Sequence, residues 1–364
     1  MRIKQLAATS FLACSLLLAG CGSSETASEG ADNENKEALK VYTTIYPLED
    51  FIQKIGGEFV EVQSIYPPNV DAHSYEPSTN DMTSLAKSDL FIYTGVGIEG
   101  FAEKASKALE KESVKILKAG EGIELIESAH DEHNHEDEEN HSENEDHEGE
   151  HGHSESEDHE DEHGHSEDHE GEEAESHEHD EHIHGDKDPH VWLDPILSID
   201  LANTIKNSLI DLMPEHKSEF EANFNQLKSD LEKLDKEFET TIDSSKTKYI
   251  LVAHAAYGYW EERYGIEQIA IAGLSPTQEP SQKELQAIIN ESSEHNLNYV
   301  IFEQNVSPKV AKIIQKEIGA KSLTLHNLEA VTEENIKEKD DYFSIMRKNL
   351  ETLKTALNES KSGI

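Results

Sequence analysis

Residues 130 to 186 are 57 consecutive positions that carry 27 Asp and Glu and 15 of the chain's 21 His, without one Lys or Arg. So little apolar surface cannot offset the entropy of ordering, so the tract is expected to be a disordered insertion, with the fold built from the chain on either side. Strings such as H-N-H, H-G-H-S and H-E-H-D-E-H-I-H set imidazoles beside carboxylates. Asp and Glu alone would suffice for solubility; the imidazoles point to weak multivalent capture of a borderline metal ion. Only neutral imidazole binds, so this capture should fade below about pH 6.5.

The tract also dominates the electrostatics. The net charge is -46 over 364 residues and falls to about -19 without it. A field of that sign repels phosphate backbones, which excludes nucleic acid as a partner. Cys14 and Cys21, the chain's two cysteines, lie near its start. The folded part therefore has no disulfide framework and no cysteine-based metal site, and any metal must be held by His and carboxylates.

Arg2 and Lys4 precede an apolar stretch from Leu6 to Leu18, followed by Leu18-Ala19-Gly20-Cys21. The stretch is too short to span a membrane and has the layout of a signal peptide over 1–20. Its L-A-G-C string resembles a bacterial lipobox, which implies cleavage before Cys21 and lipidation of that thiol. Residues 21–38 have almost no apolar content and read as a flexible tether.

Beyond the tether, strand and helix patterns alternate. Val41–Ile45 reads as a strand stopped by Pro47, Asp50–Ile55 as the start of a helix, Val60–Tyr66 as a strand ending at Pro67-Pro68, Thr79–Lys87 as a helix and Leu90–Thr94 as a strand. After the tract, Leu201, Ile205, Leu209 and Leu212 mark a helix stopped near Met213. Phe220, Phe224, Leu227, Leu231, Leu234, Phe238 and Ile242 then recur at helical spacing, with Pro214 suited to the first turn. A helix over 214–243 would be about 40 Å long. The alternation resumes with strands Tyr249–Val252 and Ile269–Ala272 and a helix opened by a Ser281/Glu284 capping box. Strand Tyr299–Phe302 follows, then a helix with Ser307 as N-cap, Pro308 at its first position and Gly319 past its end. Strand Ser322–Leu325 and a last helix over Glu334–Leu357 complete the pattern. The expected fold is α/β: an N-terminal lobe over 39–213 containing the insertion, a linking helix over 214–243, and a C-terminal lobe over 244–364, both lobes with mostly parallel sheets.

Six histidines lie outside the tract. His254 follows an apolar strand at its carboxyl end, where open α/β sheets place ligands. His73 sits in a Pro-bounded loop, and His190 in D-P-H-V-W-L-D-P between the tract and a helix. Zinc accepts imidazoles and one carboxylate in a four-coordinate site. Spacing alone leaves each of the three as either a ligand or a capping residue, and no H-E-x-x-H is present. His216 and His295 read as solvent-facing helix residues.

The chain resembles the metal-binding cluster A-I family of ABC-transporter solute-binding lipoproteins, and within it the zinc-binding branch. The resemblance is carried by V-Y-T-T-I-Y-P-L, N-V-D-A-H-S-Y-E-P-S, D-P-H-V-W-L-D-P, V-A-H-A-A-Y-G-Y and G-L-S-P-T-Q-E-P-S in that order, and by the His-rich insertion itself. It implies two lobes joined by a long rigid helix with the metal in the cleft between them. His73, His190 and His254 match the family's three histidine ligands. The fourth position takes a carboxylate or water in relatives; Glu329 in L-H-N-L-E-A-V-T is the best match and His326 the runner-up. Manganese relatives replace the third histidine by a carboxylate, so His254 and the tract favour Zn²⁺. The resemblance further implies a non-enzymatic monomer, lipid-anchored on the extracellular face of the bacterial membrane, that captures zinc for a cognate ABC permease. The rival readings are a manganese or nickel carrier, a secreted zinc hydrolase, which would need an open coordination position and a general base, and a surface adhesin.

Overall fold

The computed structural model describes residues 38–127, 187–304 and 308–359. The signal peptide, Cys21, the tether up to 37, the tract and the expected N-cap Ser307 lie outside the described residues.

The first sheet contains β1 (Leu39–Thr43), β2 (Val60–Ser64), β3 (Leu90–Tyr93) and β4 (Lys115–Lys118) in the order β2-β1-β3-β4, every pair parallel. Between them run α1 (Tyr46–Gly56), α2 (Thr79–Ala86) and α3 (Ala102–Leu109). β1 stops two residues earlier than the apolar run predicts. Ile45 is the N-cap of α1 and Pro47 lies in its first turn, so this proline starts a helix rather than ending a strand. α2 opens at Ser78 with a capping box to Asp81.

α4 (Pro195–Leu212) leads to a 3₁₀ turn at Pro214–His216 and then to α5 (Lys217–Asp243). The linking helix therefore begins at Lys217, Pro214 having been spent on the turn. Its seven predicted apolar positions, Phe220 to Ile242, are all buried. They pack on α1 and α4 on one side and, on the other, on α6 (Gly258–Tyr264) and α10 (Tyr342–Asn358). At about 2 kcal/mol per buried apolar side chain, this seam holds the helix along its whole length.

The second sheet repeats the order of the first: β6 (Glu267–Ala272), β5 (Tyr249–His254), β7 (Tyr299–Glu303) and β8 (Lys321–Leu325), again all parallel. Its connections include α7 (Gln282–Glu294), opened by the expected Ser281/Glu284 box, and α8 (Lys309–Glu317). Pro308 occupies the N-cap of α8 rather than its first turn, and Gly319 follows the helix at φ 63°. The predicted last helix is two: α9 (Glu333–Glu338) ends at Lys339, whose φ is 57°, and Asp341 caps α10 afresh. Each sheet reverses its strand order between its first and third strands, which opens a crevice at the carboxyl ends there. No helix among the described residues is long and apolar enough to cross a membrane.

Candidate metal centre

Four side chains converge where the carboxyl edge of the second sheet meets the loop after β2. One donor atom each from His73, His190, His254 and Glu329 lies within 4.8 Å of the others. All four side chains are buried, with exposures of 6%, 0%, 1% and 2%.

Each donor is placed by local chemistry. Asp71 folds the His73 turn by accepting the His73 N–H at 3.0 Å and the Ser74 hydroxyl at 2.7 Å. His190 follows Asp188, whose Oδ1 accepts the His190 N–H at 2.9 Å and lies 2.8 Å from its Nδ1. His254 ends β5, and its Nδ1 lies 2.5 Å from Glu303 Oε1, outside hydrogen-bond alignment. Glu329 follows Leu328, which has φ 62°, and its Oε2 accepts the Ala72 N–H at 3.0 Å.

The segment that carries His190 falls in the 39–213 stretch of the sequence expected for the N-terminal lobe but is stitched to the second lobe. Tyr259 Oη donates to Asp188 O, Tyr342 Oη to Trp192 O and Trp260 Nε1 to Leu193 O, at 2.7–2.9 Å. Trp192 Nε1 donates to Asn327 O at 2.8 Å, and Arg263 pairs with Asp194 at 2.6 Å. In the opposite sense, Tyr46 N–H donates to Glu329 O and Asn69 N–H to Val331 O.

The inner faces of the donors turn on one another. His73 Nε2 and Glu329 Oε1 are buried without hydrogen bonds and stand 3.5 Å apart. His190 Nε2 and His254 Nε2 face each other at 3.5 Å. Two bonds of about 2.0–2.1 Å at a tetrahedral angle place ligand atoms roughly 3.4 Å apart, so these two spacings are compatible with tetrahedral zinc ligation. No Lys or Arg is buried among the described residues. Among the described residues, Asp188, Glu303 and Glu329 thus have imidazoles and neutral hydrogen-bond donors beside them but no buried Lys or Arg. Burial opposes charging His254, but Glu303 outweighs it and the His254 pKa lies above its ordinary value. Burial also opposes ionisation of Glu329, yet His73, His190 and His254 outweigh it and hold that carboxyl well below its ordinary value. The pocket is thus built to hold positive charge.

His326, the alternative fourth ligand, serves elsewhere. Its Nδ1 accepts the Leu328 N–H at 2.9 Å and its Nε2 lies 3.0 Å from Asn335 Oδ1. Burial lowers its pKa to about 4. His216 and His295 are half-buried rather than solvent-facing, stacked on Phe59 and Tyr249 with centroids 3.8 and 3.5 Å apart. Sequence reasoning passed over Asp188 and Glu303. The first was legible in D-P-H; the second becomes visible only once β7 is laid beside β5.

The chain is similar to several known zinc-binding proteins. The family model described as zinc-uptake complex component A, periplasmic, matches residues 41–356. The zinc-binding protein AdcA of Streptococcus pyogenes serotype M3 is 33% identical over 318 residues, 87% of this chain and 55% of that protein. The chain thus spans about half the length of that relative. The high-affinity zinc uptake system protein ZnuA of Bacillus subtilis is 32% identical over 345 residues, 95% of each. The crystal structure of the Zn(II)-bound ZnuA-like domain of Streptococcus pneumoniae AdcA superposes with a TM-score of 0.65 at 28% identity, covering 89% of this chain and all of that one.

Proposed function

The chain belongs to the family of zinc-uptake complex component A, ZnuA, and from that premise we propose that it is the zinc-binding subunit of an uptake system, with Zn²⁺ as cargo held by His73, His190, His254 and Glu329. The observation that carries this reading is the pair of 3.5 Å separations between inward-facing donor atoms in a buried pocket. Three imidazoles and one carboxylate suit zinc better than manganese, which prefers oxygen donors. Four convergent protein donors leave no coordination position for the water a zinc hydrolase activates, which supports carriage over catalysis.

In this reading Cys21 anchors the chain by lipid to the outer face of the membrane, the tract over 130–186 gathers zinc near the cleft, and the loaded protein delivers it to an ABC permease. Titration calorimetry with zinc and manganese, on the full chain and on a form lacking 130–186, tests the assignment. One tight zinc site that survives the deletion, with weak manganese binding, is the expected result. Loss of the tight site on deletion would assign the binding to the tract instead.

A further inference from the structure

Three of the four donors are connected through one residue that offers no ligand atom of its own. Asn327 is 4% exposed. Its side-chain Nδ2 donates to Glu303 Oε2 at 3.1 Å, and Glu303 is the sole partner that His254 Nδ1 has within ion-pair distance among the described residues. Its Oδ1 accepts the Glu329 N–H at 3.2 Å and the Gln304 side-chain amide at 3.1 Å. Its backbone carbonyl accepts Trp192 Nε1 at 2.8 Å, two residues from His190. These donors and acceptors fix which way the amide points, because a flipped Asn327 would set oxygen against the Glu303 carboxylate and NH₂ against the Glu329 N–H.

We propose that Asn327 is a positioning residue for metal binding: it fixes Glu303 so that His254 presents Nε2 to the centre, and it ties that arm to the Glu329 and His190 segments. This rests on the reading of the four-residue cluster as the metal site. The physical argument concerns the His254 ring. The contact is not aligned as a hydrogen bond, but a ring nitrogen and a carboxylate oxygen 2.5 Å apart repel unless a hydrogen lies between them, so the neutral ring carries its hydrogen on Nδ1, toward Glu303, and leaves the Nε2 lone pair facing His190. A Glu303 free to rotate would release that tautomer and the ring's orientation. A partner in direct contact with a ligand, as Glu303 is with His254, commonly governs affinity by about 10–100-fold, and Asn327 acts on it at one further remove while holding the Glu329 N–H directly.

The test uses the full chain with Asn327→Ala, Asn327→Asp and the exchanged pair Asn327→Asp with Glu303→Gln. Two quantities are read: zinc affinity by competition with a chromophoric chelator, and the imidazole ¹H–¹⁵N spectrum of the metal-free protein. Both single variants should lose about tenfold or more in affinity and show His254 redistributed between tautomers. The exchanged pair reverses donor and acceptor while keeping total charge, and should recover at least about tenfold over Asn327→Asp. If Asn327→Ala does not fold, the isosteric Asn327→Asp and its exchanged partner decide the matter. Wild-type affinity and an unchanged His254 signal in Asn327→Asp, or no recovery in the exchanged pair, overturn the proposal. Failure of the metal-site reading itself would look different: His73→Ala would then also bind zinc as tightly as wild type.

Discussion

The two sheets share a strand order, and each buries a carboxylate at its carboxyl edge, yet the two carboxylates end in different chemistry. In the first lobe Glu99 accepts the Thr44 hydroxyl at 2.8 Å, the Thr94 N–H at 2.7 Å and the Thr94 hydroxyl at 2.5 Å. In the second lobe Glu303 faces His254 on one oxygen and Asn327 on the other. A threonine that gives its proton to a carboxylate offers little further, and the hydrogen-bond chain closes within the lobe. An imidazole has a second nitrogen and passes the carboxylate's influence on to whatever lies beyond. A buried carboxylate, in the loop after β3 in one lobe and at the end of β7 in the other, is structural in the first and leads toward the candidate site in the second because of the partner's chemistry.

The sharpest test of that contrast removes an imidazole. If about 10–16 kcal/mol of zinc binding is shared by four donors, each is worth roughly 2.5–4 kcal/mol, so His190→Ala should weaken zinc binding by about 10²–10³-fold. Chelator competition measures this, and an unchanged affinity would break the comparison at its root.

Acid should act with opposite sign on the two edges. His326 stays neutral when folded, its pKa lowered to about 4, whereas the unfolded ring takes up a proton near pH 6.5. Between those values the unfolded chain binds more protons. The His326 contribution, about 3 kcal/mol, is therefore present above pH 6.5 and lost as pH falls toward 4. In Glu99, burial outweighs the threonine hydrogen bonds and raises the pKa, so the folded state takes up this proton first and acidification relieves the strain of burying its charge. Urea unfolding from pH 7 to 4 should show a shallower loss of stability in His326→Gln than in wild type; parallel curves would rule the effect out.

Smaller effects separate structure from binding. Glu99→Ala leaves the Thr44 and Thr94 donors unpaired and should cost about 1–3 kcal/mol in stability, with zinc affinity within about twofold of wild type. A large affinity loss there would mean that the first lobe's edge is not closed after all. Tyr342→Phe removes the hydrogen bond to Trp192 O and should cost about 1 kcal/mol, read as a small fall in melting temperature.

Much of this was legible in the chain itself, and the exceptions have physical causes. The α5 seam from Phe220 to Ile242 is long and strongly periodic, and Ser281 with Glu284 is a local signature; both could be read without tertiary information. α6, with Gly258 opening a run of aromatics, is too short to show a period. The break at Lys339 depends on a left-handed residue and on fresh capping by Asp341, which the charged run Lys337–Asp341 does not announce. His254 stood out at a strand end, whereas Glu303 gains its meaning from strand pairing: Val252 lies opposite Ile301, and two residues on the same register brings Glu303 beside His254. Asn327 carries no sequence signal, since its role exists only once four segments meet.

The stitching of the His190 segment to α6 and α10 bears on how an ion could leave. Parting the lobes as rigid bodies would break the contacts of Asp188, Trp192, Leu193 and Asp194 with Tyr259, Tyr342, Trp260, Asn327 and Arg263, and would also bend a helix packed on both sides. Lifting the His73 loop breaks the Ala72 N–H bond to Glu329 and the Asn69 N–H bond to Val331, at about 0.5–1.5 kcal/mol each. For the proposed site the cheaper way out is a hatch rather than a hinge, and the residence time of the ion is then expected to follow how often that short loop swings.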